Sequence, residues 1–298
     1  MLTILITGAN GQLGQELTEM LRTGHSEIGD IPAAYQGANL ILADIDTVDI
    51  TDTVAVFAFV DQCRPDVIFN CAAMTNVNGC ESDYASAMRV NAIGVRNLAR
   101  AAEKAGAKFV HVSTDYVFSG EMQAKPYCEW DLPAPNTVYG KSKWLGEQYA
   151  MQFCTRTFVV RTAWLYGRYG NNFVRTMQKL GKEKPFVSVV NDQRGNPTNA
   201  NDLAYHLLLL GLTEEYGIYH CTGNGECSWY EFATEIMRLS GLACEVRPCT
   251  TAEYPTPAKR PAYSSLSHLM LSVTVGDHMR DWKDALTAFL AQTKPTQM

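Results

Sequence analysis

Short apolar segments alternate with amphipathic ones along the first half of the chain. Apolar, β-branched runs predict strands, and apolar residues repeated every three or four positions predict helices. The predicted strands are residues 2–6, 40–43, 67–71, 109–113 and 157–161. The predicted helices are residues 12–22, 54–63, 85–105 and 138–153. This strand–helix alternation predicts an α/β fold, a doubly wound parallel sheet with helices on both faces.

The pattern becomes less regular in the second half of the chain. Helices are predicted over residues 201–212 and 229–240, and residues 248–261 are rich in proline. Residues 25–39 are longer than an ordinary helix–strand connection and contain Gly29, Pro32 and Gly37, so we expect an exposed loop insertion there.

Composition narrows the class of protein. With 298 residues, 46% hydrophobic and 19% charged, the chain is typical of a globular protein with a sizeable core. Its net charge of −6 argues against nucleic acid or an anionic membrane surface as the main partner. No apolar run is long enough to span a bilayer, and no basic leader precedes the first strand. The nine irregularly spaced cysteines form no Cys-x-x-Cys pair, so we expect reduced thiols and a cytoplasmic location.

Three glycines, Gly8, Gly11 and Gly14, follow the first strand and open the first helix. Glycine permits a tight turn and a close approach of the backbone to a pyrophosphate, and a helix N-terminus supplies free N–H groups. In this strand–turn–helix context the motif predicts a dinucleotide site in a Rossmann-like domain. The alternative interpretation is a purely structural turn.

The ends of the next two strands extend this prediction. Asp44 ends the second strand, where a carboxylate accepts hydrogen bonds from an adenosine ribose and mildly favours NAD over NADP. A solvated strand end is an equally good interpretation. Asp49 and Ile50 follow and are expected to border the adenine. Small residues after the third strand would let a cofactor lie close to the sheet; these are Ala72, Ala73 and Met74.

Candidate proton chemistry lies further along the chain. Tyr139 and Lys143 are four residues apart, on one face of the predicted helix. An ammonium group beside a phenol is expected to lower the pKa of the tyrosine, which can then donate a proton to an alkoxide. Thr114 ends a strand at the carboxyl edge of the sheet, and its hydroxyl can bind a substrate carbonyl or cap a turn. Asn91 is expected to bond locally or to reach Lys143 through a water molecule. Taken alone, Tyr-x-x-x-Lys more often marks a solvated helix face.

Together these residues resemble the dTDP-4-dehydrorhamnose reductases, a family of the extended short-chain dehydrogenase/reductases. The matching strings are residues 8–14, 113–118, 139–143, 161–167, 170–173, 192–198 and 260–261. The glycine and Tyr-Lys strings are shared by the whole superfamily. The string around Trp164 and residues 192–198 are much more specific to these reductases.

The resemblance implies hydride transfer from NADPH, with NADH as an alternative, to the C4 ketone of dTDP-4-dehydro-L-rhamnose. The product is dTDP-L-rhamnose, a precursor of surface polysaccharide. It implies that Tyr139 is the proton donor, Lys143 its electrostatic partner and Thr114 the carbonyl-side hydroxyl. Asp115 and Trp164 are expected to contact the sugar nucleotide. Cofactor contacts are expected from Gly8, Gly11, Gln12, Leu13, Gly14, Asp44, Asp49, Ile50, Ala72, Ala73, Met74, Tyr139 and Lys143.

The predicted organisation is a cofactor-binding domain over residues 1–162 and a smaller, mainly C-terminal substrate-binding lobe over residues 163–298. Residues 195–215 are expected to return to the first domain. We expect a monomer or homodimer with a nucleotide-sugar substrate.

Some positions depart from the family pattern. Asn78 replaces a frequent aspartate. Some relatives dimerise through a magnesium site built on glutamates; Glu16 matches one of these, but residues 199–201 lack a matching acid, so no metal is expected. Arg175 and Arg260 are candidate partners for the diphosphate, or surface arginines.

Two other functions fit parts of the pattern. A nucleotide-sugar epimerase or dehydratase of the same superfamily would keep its NAD bound and regenerate it. A regulatory subunit of methionine adenosyltransferase resembles these reductases, keeps the Tyr-x-x-x-Lys string and acts by binding a partner. Trp164 and residues 192–198 favour the reductase.

Overall fold

The computed structural model describes residues 1–293 and is built around one large parallel sheet. The strands are β1 (Thr3–Thr7), β2 (His25–Ser26), β3 (Gly29–Asp30), β4 (Asn39–Ala43), β5 (Val67–Asn70), β6 (Lys108–Thr114), β7 (Thr157–Thr162), β8 (Leu165–Tyr166), β9 (Phe186–Val190), β10 (Arg194–Gly195), β11 (Thr198–Asn199), β12 (Gly217–His220), β13 (Cys227–Ser228) and β14 (Glu245–Cys249).

The helices connect these strands, and several of them cover the two faces of the main sheet. They are α1 (Gln12–Thr23), α2 (Thr53–Cys63), α3 (Val77–Ser82), α4 (Tyr84–Met88), α5 (Val95–Ala105), α6 (Val138–Phe153), α7 (Phe173–Glu183), α8 (Ala200–Leu212), α9 (Trp229–Ser240), α10 (Leu269–Thr274) and α11 (Trp282–Thr293). A π-helical segment, Arg89–Gly94, joins α4 to α5.

The main sheet has the strand order β4-β1-β5-β6-β7-β12, and all neighbours are parallel. The chain leaves β1 for β4 on one side and returns to β5 on the other, so the strand order reverses at β1. Ligands of open α/β sheets bind in the crevice at the carboxyl ends of the strands beside such a reversal. The predicted doubly wound, Rossmann-like α/β fold is confirmed, and β12 adds an edge strand that the sequence pattern did not predict.

Alternation along β1 explains how the sheet acquires two apolar faces. Ile4 and Ile6 point to one side, where they pack with residues of α1 and α8. Leu5 points to the other side, among residues of α2 and α5. Since successive side chains of a strand point to opposite faces, a short apolar run suits a strand covered on both sides.

The expectation of an exposed loop insertion over residues 25–39 is wrong in part. The segment contains the β2–β3 hairpin and a short 3₁₀ turn, Ala33–Tyr35. Tyr35 is fully buried, and its hydroxyl donates to the carbonyl oxygen of Leu208 in α8 at 2.8 Å. The aromatic ring therefore ties the insertion to the core, an interaction that the local glycines and proline did not reveal.

The single helix expected over residues 85–105 is also interrupted. The π-helical segment Arg89–Gly94 lies inside it and carries the buried Asn91. Single π turns within helices are frequent at functional sites.

A third apolar cluster lies outside the main sheet. Helices α7, α9 and α11 pack there, together with the parallel pair β9–β14. Helix α8 packs against α1, and β12 joins the main sheet beside β7. The division into two lobes stays a prediction. Within residues 1–293, no helix combines the length and apolar character needed to cross a membrane.

Candidate active site

The glycine turn brings the end of β1 against the end of β5. Gly8 has a φ of +68°, and a Cβ there would lie 2.6 Å from the backbone nitrogen of Ala72. A Cβ on Gly14 would lie 2.3 Å from the carbonyl oxygen of Gly8. Helix α1 then begins at Gln12 without a side-chain N-cap, and the first amide groups of a helix have no intrahelical acceptor. The turn therefore supplies a cradle suited to an anion such as a pyrophosphate.

A cavity of about 520 Å³ opens beside this turn. Its lining includes the predicted cofactor residues Gly8, Gly11, Asp44, Asp49, Ile50, Ala72, Ala73 and Met74. The carboxylate of Asp44 accepts from the backbone N–H of Asn10 at 2.9 Å and from that of Ile45 at 2.8 Å. Asp44 therefore anchors the glycine turn as well as lining the cavity, and its contact with a ribose stays a prediction.

A second cavity, which we call the catalytic cleft, has a volume of about 510 Å³. Gly11, Cys71 and Ala73 line both cavities, so the two form one continuous groove. The cleft is lined by the other predicted residues, Gln12, Leu13, Gly14, Thr114, Asp115, Tyr139, Lys143 and Trp164. The structure thus brings every predicted site residue to this groove, which is of the size of ordinary ligand pockets.

Helix α6 carries the Tyr-Lys pair. Thr137 caps the helix by accepting from the N–H of Gly140 at 3.0 Å, which fixes where its first turn begins. The Lys143 ammonium donates to the carbonyl oxygen of Val112 in β6 at 2.6 Å. Burial lowers the pKa of Lys143 to about 8, opposed by the nearby Glu147 carboxylate. Lys143 is therefore a buried group of the cleft rather than part of a solvated helix face.

The expected lowering of the Tyr139 pKa is wrong. Burial raises the pKa of its phenol above the usual 10, a hydrogen bond with Thr114 opposes this rise, and the charge of Asp115 adds to it. The edge of the Tyr116 ring packs against Tyr139 with the ring centres 5.5 Å apart. Since this enclosure disfavours phenolate, Tyr139 is held in its neutral, proton-carrying form.

Asp115 is the acidic group of the cleft. The Thr114 hydroxyl donates to its Oδ1 at 2.9 Å, and only 3% of the residue is exposed. Burial raises the pKa of Asp115 to about 6, although hydrogen bonds with Ser264 and Thr114 oppose the rise. Thr114 therefore lies between Tyr139 and Asp115 and connects the two titrating groups.

Asn91 does not bond as expected. Its Oδ1 accepts from the N–H of Met74 at 2.8 Å, and its Nδ2 donates to the Met74 carbonyl and the Ser142 hydroxyl, each at 3.0 Å. The π-helical turn thus fixes both the loop after β5 and helix α6. No local feature of the sequence indicates these partners, because they lie on two distant elements.

Trp164 forms a wall of the cleft. It has a φ of +47°, in the left-handed region, which costs a residue with a side chain about 1–3 kcal/mol. Its indole stacks on that of Trp229, with ring centres 3.6 Å apart and planes 9° from parallel. Trp229 also lines the cleft, and the sequence interpretation missed it.

The two candidate arginines lie in different surroundings in the structure. Arg260 lines the cleft and donates to the Tyr116 hydroxyl at 3.0 Å and to Oδ1 of Asn78 at 3.3 Å. Arg175 is exposed at the start of α7, where it donates to the carbonyl oxygen of Arg168. Only Arg260 is placed to meet a ligand of the cleft.

Glu16, the residue considered for a metal, is buried and accepts from the amide of Asn201 at 2.6 Å. Burial raises the pKa of its carboxyl. In the part of the chain that the structure describes, no three His, Cys, Asp or Glu residues are grouped so that they could hold a metal ion.

Known proteins resemble the chain over nearly its whole length. The family model described as RmlD substrate binding domain matches residues 2–294. The spore coat polysaccharide biosynthesis protein SpsK of Bacillus subtilis is 40% identical over 98% of each chain. Among solved structures, dTDP-4-dehydrorhamnose reductase from Clostridium acetobutylicum is 46% identical, with a TM-score of 0.91 over 97% of this chain and 99% of that one. The reductase from Bacillus anthracis in complex with NADP is 41% identical, with a TM-score of 0.92 over 98% and 99%.

Proposed function

Because the chain belongs to the RmlD substrate binding domain family, we propose that it is an NADPH-dependent reductase acting on the C4 ketone of dTDP-4-dehydro-L-rhamnose. The product is dTDP-L-rhamnose. The observation that carries the proposal is that one groove contains the glycine turn, Thr114, Tyr139, Lys143 and Trp164. The similar proteins from Clostridium acetobutylicum and Bacillus anthracis are dTDP-4-dehydrorhamnose reductases, which supports this substrate. The similar protein SpsK takes part in spore coat polysaccharide biosynthesis, which supports a role in polysaccharide synthesis.

The proton chemistry rests on Tyr139. Bound reduced nicotinamide supplies a hydride to the C4 carbon of the substrate. Tyr139 donates its phenolic proton to the C4 oxygen, and its raised pKa keeps that proton in place at neutral pH. The Thr114 hydroxyl binds the same oxygen. Lys143, one helical turn from Tyr139, stabilises the phenolate that remains, because its pKa of about 8 leaves it largely protonated at pH 7.

The groove also suits the dinucleotide. The turn at Gly8, Gly11 and Gly14 and the first amides of α1 would bind the pyrophosphate. Asp44 would accept from the adenosine ribose, with Asp49 and Ile50 beside the adenine and residues 72–74 along the cofactor. The NADP complex of the Bacillus anthracis relative supports NADPH, and the carboxylate of Asp44 is compatible with NADH as an alternative.

A nucleotide sugar bound in the catalytic cleft would contact Asp115, Trp164 and Arg260, which line it. Either a monomer or a homodimer is compatible with this assignment. The nine free thiols suit the reducing environment of the cytoplasm.

The test is a reductase assay with nucleotide 4-keto sugars, run with NADPH and NADH in parallel. We expect loss of the reduced-nicotinamide absorbance with dTDP-4-dehydro-L-rhamnose and formation of dTDP-L-rhamnose. Protein that purifies with stoichiometric NAD and consumes no added reductant would instead indicate an epimerase or dehydratase.

A further inference from the structure

We propose that Trp229 is a positioning residue for substrate binding, and that it acts by stacking on Trp164 and holding this indole against the sugar nucleotide. The inference rests on the proposed function, which assigns Trp164 to the substrate. Trp229 itself lies at the start of α9, far along the chain from the Tyr-Lys pair.

Trp164 needs such support. It lies between β7 and β8, and its left-handed φ of +47° is one that residues with a side chain rarely adopt. Its carbonyl oxygen accepts a hydrogen bond from the backbone N–H of Thr198 in β11 at 3.2 Å. A conformation of this kind persists only where the surroundings determine it.

Trp229 is placed to provide this support. Ser228 caps helix α9 in a reciprocal pair with Glu231, so the first residue of the helix has a fixed orientation. Phe173 packs against the Trp229 ring with centres 4.5 Å apart and planes at 57°. Both indoles line the catalytic cleft, so the stack forms part of the wall that meets a ligand.

Gly195 is the third element of this arrangement. A Cβ on Gly195 would lie 2.7 Å from Cε2 and 2.8 Å from Nε1 of Trp164. The φ of Gly195 is not positive, so the position lacks a side chain for reasons of space rather than of backbone conformation. The absence of a side chain at Gly195 therefore leaves room for Trp164 to stack on Trp229.

Two variants perturb the stack by different routes. Trp229→Ala removes the partner ring, and Gly195→Ala keeps both indoles but pushes Trp164 away. Stacked indoles give an exciton couplet in circular dichroism, which we expect both variants to lose. Since an aromatic pair is worth up to about a tenfold factor in an equilibrium constant, we expect KM for the nucleotide sugar to rise by about that factor. The kcat and the KM for NADPH should change little.

The matched control is Trp282→Phe. Trp282 is buried in the same apolar cluster and contacts Phe232 edge-on, but it does not line the cleft. We expect this variant to lower stability while leaving the couplet and the KM for the nucleotide sugar unchanged.

Calorimetric binding of dTDP provides a readout that does not depend on turnover. Wild-type protein that binds dTDP but reduces no 4-keto sugar would contradict the proposed function, while a loss of dTDP affinity in both stack variants would still support the role of Trp229. Loss of the couplet with unchanged KM and unchanged dTDP affinity would overturn that role. An equal fall in affinity for NADPH and for dTDP would also overturn it, since it would indicate general damage to the fold.

Discussion

Replacing Asp115 by asparagine should stabilise the protein at neutral pH and weaken its activity. Burial raises the pKa of Asp115 from 3.8 to about 6. At 1.36 kcal/mol for each pH unit, this difference means that the ionised carboxylate costs the folded state about 3 kcal/mol. Asparagine removes the charge and can still accept the hydrogen bond from Thr114, while its amide can donate to Ser264.

The effect of Asp115→Asn on the free energy of unfolding should depend on pH. A raised pKa means that the folded protein binds the proton more tightly than the unfolded chain does. The loss of stability caused by the ionised Asp115 carboxylate is therefore absent below about pH 4, grows as the pH rises towards 6 and is complete above about pH 7. The gain in stability of Asp115→Asn should be up to about 3 kcal/mol at pH 7.5 and should vanish near pH 4.

Urea denaturation of the wild-type protein and the variant at both pH values measures this difference in the free energy of unfolding. Asp46→Asn is the matched control, because Asp46 is exposed and its replacement should change stability little at either pH. In the assay, KM for the nucleotide sugar should rise, since Asp115 lines the cleft. A gain of the same size at pH 4 and 7.5, or no gain at pH 7.5, would refute the reasoning from burial.

Three further predictions concern the groove. Tyr139→Phe should lower kcat by about 10²- to 10⁴-fold, because the general acid is lost, while NADPH binding followed by its fluorescence stays near the wild-type value; unchanged turnover would exclude Tyr139 as proton donor. Gly14→Ala should weaken NADPH binding by at least about tenfold, because the new Cβ would lie 2.3 Å from the Gly8 carbonyl oxygen. The control is Gly24→Ala, where nothing lies within 4 Å of the added Cβ. It should lower the free energy of unfolding by about 1 kcal/mol and leave NADPH binding unchanged. Asp44→Asn should raise the ratio of kcat/KM for NADPH over NADH, because a carboxylate facing the ribose repels a 2′-phosphate; a fall in this ratio would contradict the placement of the adenosine.

Local sequence determined the features of the site that depend on neighbouring residues. The spacing of Gly8 and Gly14 predicted a turn because glycine adopts the left-handed backbone of Gly8 without strain, and because a Cβ at either position would collide with nearby backbone atoms. The four-residue spacing of Tyr139 and Lys143 placed them on the same face of α6. Short apolar, β-branched runs predicted the strands, and their alternation with amphipathic helices predicted the parallel sheet.

The tertiary structure decided how each group is surrounded. Asn91 bonds to Met74 and Ser142 rather than locally, and Trp164 stacks on Trp229 from a separate helix. Sequence spacing cannot predict such pairs, because they depend on how distant elements pack together. Sequence spacing is equally unable to predict the pKa of a buried group. The spacing of Tyr139 and Lys143 suggested a lowered pKa for the phenol, yet burial raises it, because desolvation depends on every atom that encloses the group and not on its neighbours in the chain.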